Sequence, residues 1–399
     1  MKELSLIARQ NRVLAQNATG TNSRRHTQYP QGYPTHLIRS QDCYVYDIDE
    51  HRYVDFVGGL GVTILGYNHP KVTEAVKKQL STGYITASLP HPIEIQTAEL
   101  ITEMFPGMEK VRFGKNGVDA TDAAVRIARS YTKKEWIISE GYHGSTDLWV
   151  SLTPPALGVV DTFKITNNIP NSTQRKQLGV AAFITEPVSL DCSESRKTQL
   201  QAHIQNCKNE KTIVIFDEIV TGCRMQHLSV AKTWGLDPDM MCLGKAIANG
   251  FPLSVVGGKK EIMDHGEYFI SKTFACEAIS LAACHATLTE LKKKNMKDLW
   301  YYANRFQQKF NEIGKEIGVE IKGYGTRGAM NLDDYNTALF VQLAAKAGLL
   351  FGRAFFYTFS HMESRIEEYV FNMIFDIVHQ IKNGAKLDGD IPTSLFKRT

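Results

Sequence analysis

No apolar run in these 399 residues approaches the ~18 that a membrane-spanning helix needs, and none of the function classes that depend on one is expected. The opening MKELSLIARQNRVLAQN is too often interrupted by polar residues for a signal peptide and reads as a short amphipathic helix. The seven cysteines, at 43, 192, 207, 223, 242, 276 and 284, show no CxxC spacing and no even framework, so reduced thiols and a cytoplasmic setting are expected. Cys242 and Cys284 lie in apolar runs and read as packing. Charge of one sign is also scarce. Lys and Arg number 46 against 42 Asp and Glu, a net +4 scattered along the chain apart from the short run 292–294, which argues against a nucleic-acid partner. No internal repeat or low-complexity segment occurs. The histidines at 69, 91, 143, 203, 227, 265, 285 and 361 form no HExxH or paired-ligand pattern, and there is no GxSxG elbow, so neither a metal site nor a serine nucleophile is expected.

With 43% hydrophobic and 22% charged residues, the chain has material for a large core and two domains. A polar opening runs to about residue 33. The stretch HLIRSQDCYVYDIDEHRYVDFVGG then alternates like paired strands, with Asp49 and Glu50 placed to turn a hairpin. HPKVTEAVKKQL sets Val72, Val76 and Leu80 at helical spacing, and IEIQTAELITEM repeats the pattern with Ile93, Leu100, Ile101 and Met104. Strand candidates follow at 111–113, 136–138, 180–184, 213–216, 240–243 and 254–256, several separated by helical segments. That alternation predicts a mainly parallel sheet covered by helices. Helical patterns occupy 278–296, 298–317, 334–348 and 363–382, with the turn GYGTRGAM among them.

Two segments carry the chemistry. TIVIFDEIVTGCR, residues 212–224, is a β-branched run ending in an acid, and DMMCLGKAIANGFPLSVVGG, residues 239–258, is an apolar run ending in a lysine between small residues. Ligands of open α/β sheets bind outside the carboxyl ends of parallel strands, so Asp217 and Lys245 are expected to point into one crevice. A buried ammonium is costly without a role, whereas a lysine there can form a Schiff base and an aspartate can hold a protonated pyridine nitrogen. With these residues the chain resembles the class III aminotransferases of fold type I, which use pyridoxal 5′-phosphate (PLP), and within them the branch containing glutamate-1-semialdehyde aminomutase. The resemblance spans about residues 40 to 375. It implies a large domain with a mainly parallel seven-stranded sheet over 61–290 and a smaller α/β domain made from 1–60 and 291–399. A segment between Gly323 and Gly352 looks shorter than in relatives, which puts the usual small-domain strands in question.

By the same resemblance, Lys245 bonds to the cofactor aldehyde and later moves the substrate proton, and Asp217 holds the ring nitrogen. Glu218 points the other way along its strand and reads as structural. Ile219, alone an ordinary core residue, would pack on the ring. Tyr142 and His143, in an aromatic-His-Gly motif, would stack on the ring and support it. Phosphate is expected at Lys115-Asn116-Gly117-Val118-Asp119-Ala120, before the helical pattern DATDAAVRIARSY, because a helix start offers free N–H groups to an anion. Relatives read Ser-Gly-Thr-Glu-Ala here. Asn116 and Val118 lack those hydroxyls, which shifts the burden to main-chain N–H groups, the Asn116 amide and Thr273, whose family counterpart reaches across to the neighbouring subunit. Glu186, in ITEPV, matches a glutamate that pairs in some branches with a substrate-binding arginine. Tyr357 stands where that arginine would be, so Arg24 and Arg25 are the other candidate carboxylate readers, a solvated pair being the bland alternative.

The reading is a homodimeric PLP-dependent aminotransferase moving an amino group from a small-molecule amine donor to a carbonyl acceptor. An aminomutase is the main rival. That branch carries a Gly-Ser-Gly loop where this chain reads SLTPPALG, which weighs against it. A non-catalytic PLP-fold binding module is the remaining one, and the intact Lys245 and Asp217 weigh against that.

Overall fold

The computed structural model describes residues 2–14, 29–85, 89–150, 164–169 and 172–392. Three short strands come first: β1 (Leu37–Gln41), β2 (Tyr44–Asp47) and β3 (Arg52–Asp55). Seven follow: β4 (Lys110–Gly114), β5 (Trp136–Glu140), β6 (Ile165–Thr166), β7 (Val180–Thr185), β8 (Ile213–Asp217), β9 (Met240–Leu243) and β10 (Ser254–Gly258). The last are β11 (Lys322–Tyr324), β12 (Arg327–Ala329), β13 (Leu349–Leu350) and β14 (Ala354–Phe355). The chain divides into two compact units, Pro70–Met296 and a second made of Met1–His69 with Lys297–Thr399.

In the unit Pro70–Met296 the seven strands form one sheet in the order β4-β10-β9-β8-β7-β5-β6. Neighbours from β9 through β6 pair in parallel, while β10 is antiparallel to both β9 and β4. It follows that every strand except β10 ends at the same edge. The fold is therefore the mainly parallel α/β sheet of the fold-type I class. Strands β7, β8 and β9 are buried at every position, which is why they read as continuous apolar runs without alternation. The two-residue strand β6 left too short an apolar signal to be expected. Helix Gly117–Thr132 packs its Ala120, Ala123, Ala124 and Ile127 face on this sheet, in one core cluster with Ile137, Ala182, Ile215, Met240 and Val256.

Helix Pro70–Thr82 forms as its periodicity predicts, but one of the residues used for that reading faces outward. Leu80 is 55% exposed while Gln79 is buried, its Nε2 donating to the Gly83 carbonyl at 2.7 Å, so a local hydrogen bond sets which face turns inward.

The second unit holds a four-stranded sheet, β1-β2-β3-β13, and a three-stranded one, β11-β12-β14. Asp49 and Glu50 do turn the β2–β3 hairpin, with the Asp49 N–H donating to Asp47 Oδ1 at 2.9 Å. The strands questioned between 323 and 352 are present but two or three residues long. An aromatic core compensates for their brevity: Phe56 stacks on Phe306, Phe351 and Phe355. No described helix is long and apolar enough to cross a membrane.

Ile215 is fully buried at the middle of β8, with paired strands on both sides. Ile215→Ala should lower the unfolding free energy by about 2–5 kcal/mol through lost burial and a cavity. A urea titration followed by far-UV circular dichroism reads this, and an unchanged midpoint would contradict it.

Candidate active site

The ladder pairings bring the chemical residues into one row. Asp217, the last residue of β8, pairs with Cys242 of β9, and only Leu243 and Gly244 separate Cys242 from Lys245. On the other side of β8, Phe216 pairs with Thr185 of β7, which precedes Glu186. Thr185 pairs in turn with Glu140 of β5, which leads through Gly141 to Tyr142 and His143. Adjacent strand ends thus present Lys245, Asp217, Glu186 and the Tyr142-His143 turn in that order. β4 ends at the same edge and delivers Asn116 and Gly117 at the start of helix Gly117–Thr132.

Asp217 is buried, and both its oxygens are engaged. Oδ1 accepts from the Ile219 N–H at 3.1 Å, and Oδ2 lies 2.7 Å from His143 Nδ1. The ring of His143 is held edge-on to Trp149, and its Nε2 has no hydrogen-bond partner among the described residues. The His143 carbonyl accepts from Thr121 Oγ1 at 2.7 Å, tying this turn to the helix. The supporting role expected of His143 takes a definite form in the geometry, where it is the partner of Asp217. A bond across 74 residues of chain has no local signature to read.

Lys245 is half-buried and opens a single 3₁₀ turn, Lys245–Ala248, at φ 46°. A non-glycine residue held in the left-handed region costs of order 1–2 kcal/mol and persists only where its surroundings impose it. Fully or nearly fully buried Ala246, Ile247 and Ala248 do so here. Ile219 fills the space between the strand ends. A Cβ built on Gly117 would stand 2.9 Å from its Cδ1, and one on Gly244 would stand 3.2 Å from its Cγ2. Tyr142, by contrast, is 41% exposed.

At the helix start, Asp119 Oδ2 accepts from the Lys115 and Asn116 N–H groups at 2.9 and 3.0 Å. Burial disfavours the charge of Asp119, but these donors and Lys272, 3.0 Å away, outweigh it and hold the carboxyl below its usual range. No hydrogen bond among the described residues takes up the N–H groups of Gly117 and Val118, which leaves them as open first-turn donors. The Val118 methyl lies where a Cβ on Gly144 would come within 2.5 Å, so Val118 packs the turn. Lys115 pairs with Glu277 at 2.6 Å, and Glu277 caps helix Ala278–Leu291. Thr273 sits exposed on the loop between Lys272 and Glu277.

Arg24, Arg25 and the segment SLTPPALG are outside the described residues. Tyr357, in the second unit, is buried beside Phe306 and His361, and its hydroxyl donates to Glu367 Oε1 at 3.2 Å. Among the described residues no cluster of His, Cys, Asp or Glu could hold a metal.

The sequence profile described as "Aminotransferase class-III" matches residues 28–171 and 160–364. The chain belongs to the class III aminotransferases. Glutamate-1-semialdehyde 2,1-aminomutase of Acetivibrio thermocellus is 31% identical over 363 residues, covering 81% of this chain and 82% of its own. Two solved structures share the fold. The PLP-bound FumI protein of Sphingopyxis sp. MTA144 matches with a TM-score of 0.84 at 21% identity, covering 97% of this chain and 98% of its own. An omega-transaminase from Sphaerobacter thermophilus matches at 0.80 and 22% identity, covering 95% and 98%. A class III aminotransferase is a PLP-dependent enzyme, which sets aside the binding-module reading.

The site fits that cofactor on its own terms. An amine and a buried carboxylate sit on adjacent strand ends, and the exposed Tyr142 side chain and a helix start with two unengaged N–H groups lie on the same edge.

Glu218, the residue after β8, is fully buried. It accepts from the N–H groups of Val230 and Ala231 and from Thr221 Oγ1, at 2.7, 3.0 and 2.8 Å. Burial pushes its pKa from 4.5 up to about 7, the hydrogen bonds offsetting part of the rise. The folded state thus keeps a proton that the unfolded chain loses, and stability should fall as pH rises from about 4.5 to about 7. Glu218→Gln removes this slope. Urea midpoints at pH 5 and pH 8 should show the variant gaining on the native protein at pH 8 by about 1–3 kcal/mol, and parallel pH profiles would refute it.

Proposed function

We propose that this aminotransferase moves an amino group from an amine or amino-acid donor to a separate carbonyl acceptor, with Lys245 and Asp217 as its catalytic residues. The observation that carries the reading is the ladder order that sets Lys245 one strand from the buried Asp217–His143 pair. Bound here, PLP supplies an aldehyde carbon to which amines attach and a ring that takes up electrons when a carbon–hydrogen bond breaks. Lys245 Nζ anchors the cofactor and carries the substrate proton. Asp217, held in place by His143 and by the Ile219 N–H, would hold the ring nitrogen. Tyr142 and Ile219 would pack on the ring, and Gly117, Val118 and Asn116 would hold the phosphate at the helix start. Glu186 is kept with the cofactor-binding residues, and Arg24, Arg25 and Tyr357 as substrate-side candidates.

Purified protein should be yellow, and borohydride reduction followed by peptide mapping should place the label on Lys245. A label on another lysine would overturn the assignment. Asp217→Asn should cut turnover by more than about tenfold, since a charge-assisted hydrogen bond contributes roughly 1.5–3 kcal/mol, while most of the cofactor stays bound. Steady-state kinetics beside cofactor content separate the two effects.

We also place the protein as a homodimer with shared sites. Leu80, Tyr84, Ile85, Leu89 and Ile95 form an exposed apolar series, and the Tyr84 carbonyl accepts from the Ala278 N–H at 2.9 Å, next to the loop of Thr273. This supports a second copy packing there, with Thr273 reaching that copy's phosphate site. Thr273→Ala should raise the PLP dissociation constant at least about tenfold, the scale of one hydrogen bond to an ionised group. Equilibrium dialysis at several protein concentrations checks it, and unchanged retention would remove Thr273 from the site.

The second reading is an aminomutase. Curated relatives bearing that name, 31–34% identical, favour it, while SLTPPALG in place of the gating loop favours free exchange of donor and acceptor. Glutamate-1-semialdehyde supplied alone, then an amine donor paired with pyruvate or 2-oxoglutarate, decides between them. Isomerisation without a second substrate and no transfer from any donor would make the protein a mutase.

A further inference from the structure

Behind the row of strand ends lies an arginine outside every motif that carries the family resemblance. Arg196, in helix Glu194–Asn209, is 12% exposed through its side chain and commits all its nitrogens. Nε donates to the Pro187 carbonyl at 3.0 Å. Nη1 donates to Glu140 Oε1 at 3.0 Å and Gln199 Oε1 at 2.9 Å, and Nη2 donates to Glu140 Oε2, Thr185 Oγ1 and the Glu186 carbonyl at 2.8, 3.2 and 3.3 Å. A guanidinium so occupied has no donor left for a substrate carboxylate. What it does instead is fasten the end of β5 to the end of β7.

The fastening reaches the site within two residues. The Glu186 N–H donates to the Glu140 carbonyl at 3.0 Å, and Glu186 Oε2 accepts from the Tyr142 N–H at 3.1 Å. Gly141 between them has φ 110°, and a Cβ there would stand 2.9 Å from Glu186 Oε2, so the turn leaves no slack. Burial works against the charge of Glu140, but Arg196 and Thr185 outweigh it and hold its carboxyl below the usual range. Without the guanidinium, the partly buried Glu140 carboxylate keeps only Thr185 as a side-chain donor and the Pro187 and Glu186 carbonyls lose a charged one, so the turn bearing Tyr142 loses most of its support.

We propose that Arg196 is a positioning residue of this aminotransferase, clamping β5 to β7 so that the Tyr142 ring and the Glu186 carboxylate stay fixed at the edge that Asp217 and Lys245 share. This rests on the function proposed above. Lysine cannot replace it, because a single ammonium cannot span a carboxylate and two carbonyls at once.

The test compares full-length native protein with Arg196→Met and Arg196→Lys. Hydrogen exchange of peptides covering residues 138–146 is followed with and without added PLP. Visible circular dichroism per bound cofactor and the split between kcat and KM complete the set. Folded variants of unchanged melting temperature should exchange that peptide at least about tenfold faster, the scale of one lost charge-assisted hydrogen bond. Their cofactor dichroism should fall by about half or more, with kcat reduced and Arg196→Lys no better than partly recovered. Native exchange in a folded Arg196→Met protein overturns the proposal. So does fast exchange with unchanged dichroism and kinetics, which would make Arg196 a staple of the fold alone. If Arg196→Met does not fold, Glu140→Gln keeps the shape, removes the charge and should move the same readouts in the same direction; unchanged readouts overturn the clamp. Exchange in the absence of PLP is read whether or not Lys245 holds the cofactor, so failure of the proposed chemistry is distinguishable from failure of the clamp.

Discussion

The pairing of β7, β8 and β9 is the constraint on which the site depends. Side chains in a strand alternate between faces, so a slip of one residue in the β8–β9 ladder would carry Asp217 away from its neighbours and bring Glu218 into the row. What prevents the slip is the burial of these strands on both faces. Ile215, Phe216, Met240 and Cys242 each have little or no contact with water, and any other register would misplace several of them at once. The chemical precision of the edge is in this sense a by-product of core packing.

Around that register the protein adds polar ties at the places where packing cannot specify direction. A carboxylate can rotate, so Asp217 is met by a donor on each oxygen. A turn can flex, so Thr121 holds His143 from the helix side and Glu186 holds Tyr142 from the sheet side. A helix start can fray, so Asp119 reaches back to two N–H groups while Lys272 balances its charge. Local ties and ties between distant elements converge here on the same few residues. Such networks are strongly coupled, and double-mutant cycles between His143 and Thr121 would measure how far they act as one.

Much of this was legible before the structure. Strands β7, β8, β9 and β10 announce themselves because burial at every position leaves runs of small, apolar and β-branched residues, and Lys245 stands out because a lysine after such a run is anomalous. The parallel architecture followed from the alternation of those runs with helical patterns. Less visible was anything depending on distance in three dimensions. That His143 meets Asp217 could not be read, because 74 residues separate them and both have other plausible roles. Arg196 gave no signal, since an arginine on a polar helix looks solvated until Glu140 and the β7 carbonyls are seen beneath it. Leu80 is the opposite case: helical spacing points an apolar residue inward, whereas Gln79 in fact turns in to bond the Gly83 carbonyl.

The reversed strand β10 gives the lysine a different kind of neighbourhood from the carboxylate. Strand β8 reaches its partner β7 only after the chain has passed through helix Glu194–Asn209, whereas β9 and β10 pair directly across the short connection that carries Lys245. Sequence-local pairings have less loop entropy to overcome and tend to form early in folding. The amine-bearing turn would then assemble ahead of the carboxylate that completes the site. The lysine is in this way held between strands adjacent in the sequence, and the carboxylate between strands that the chain brings together only through intervening helices.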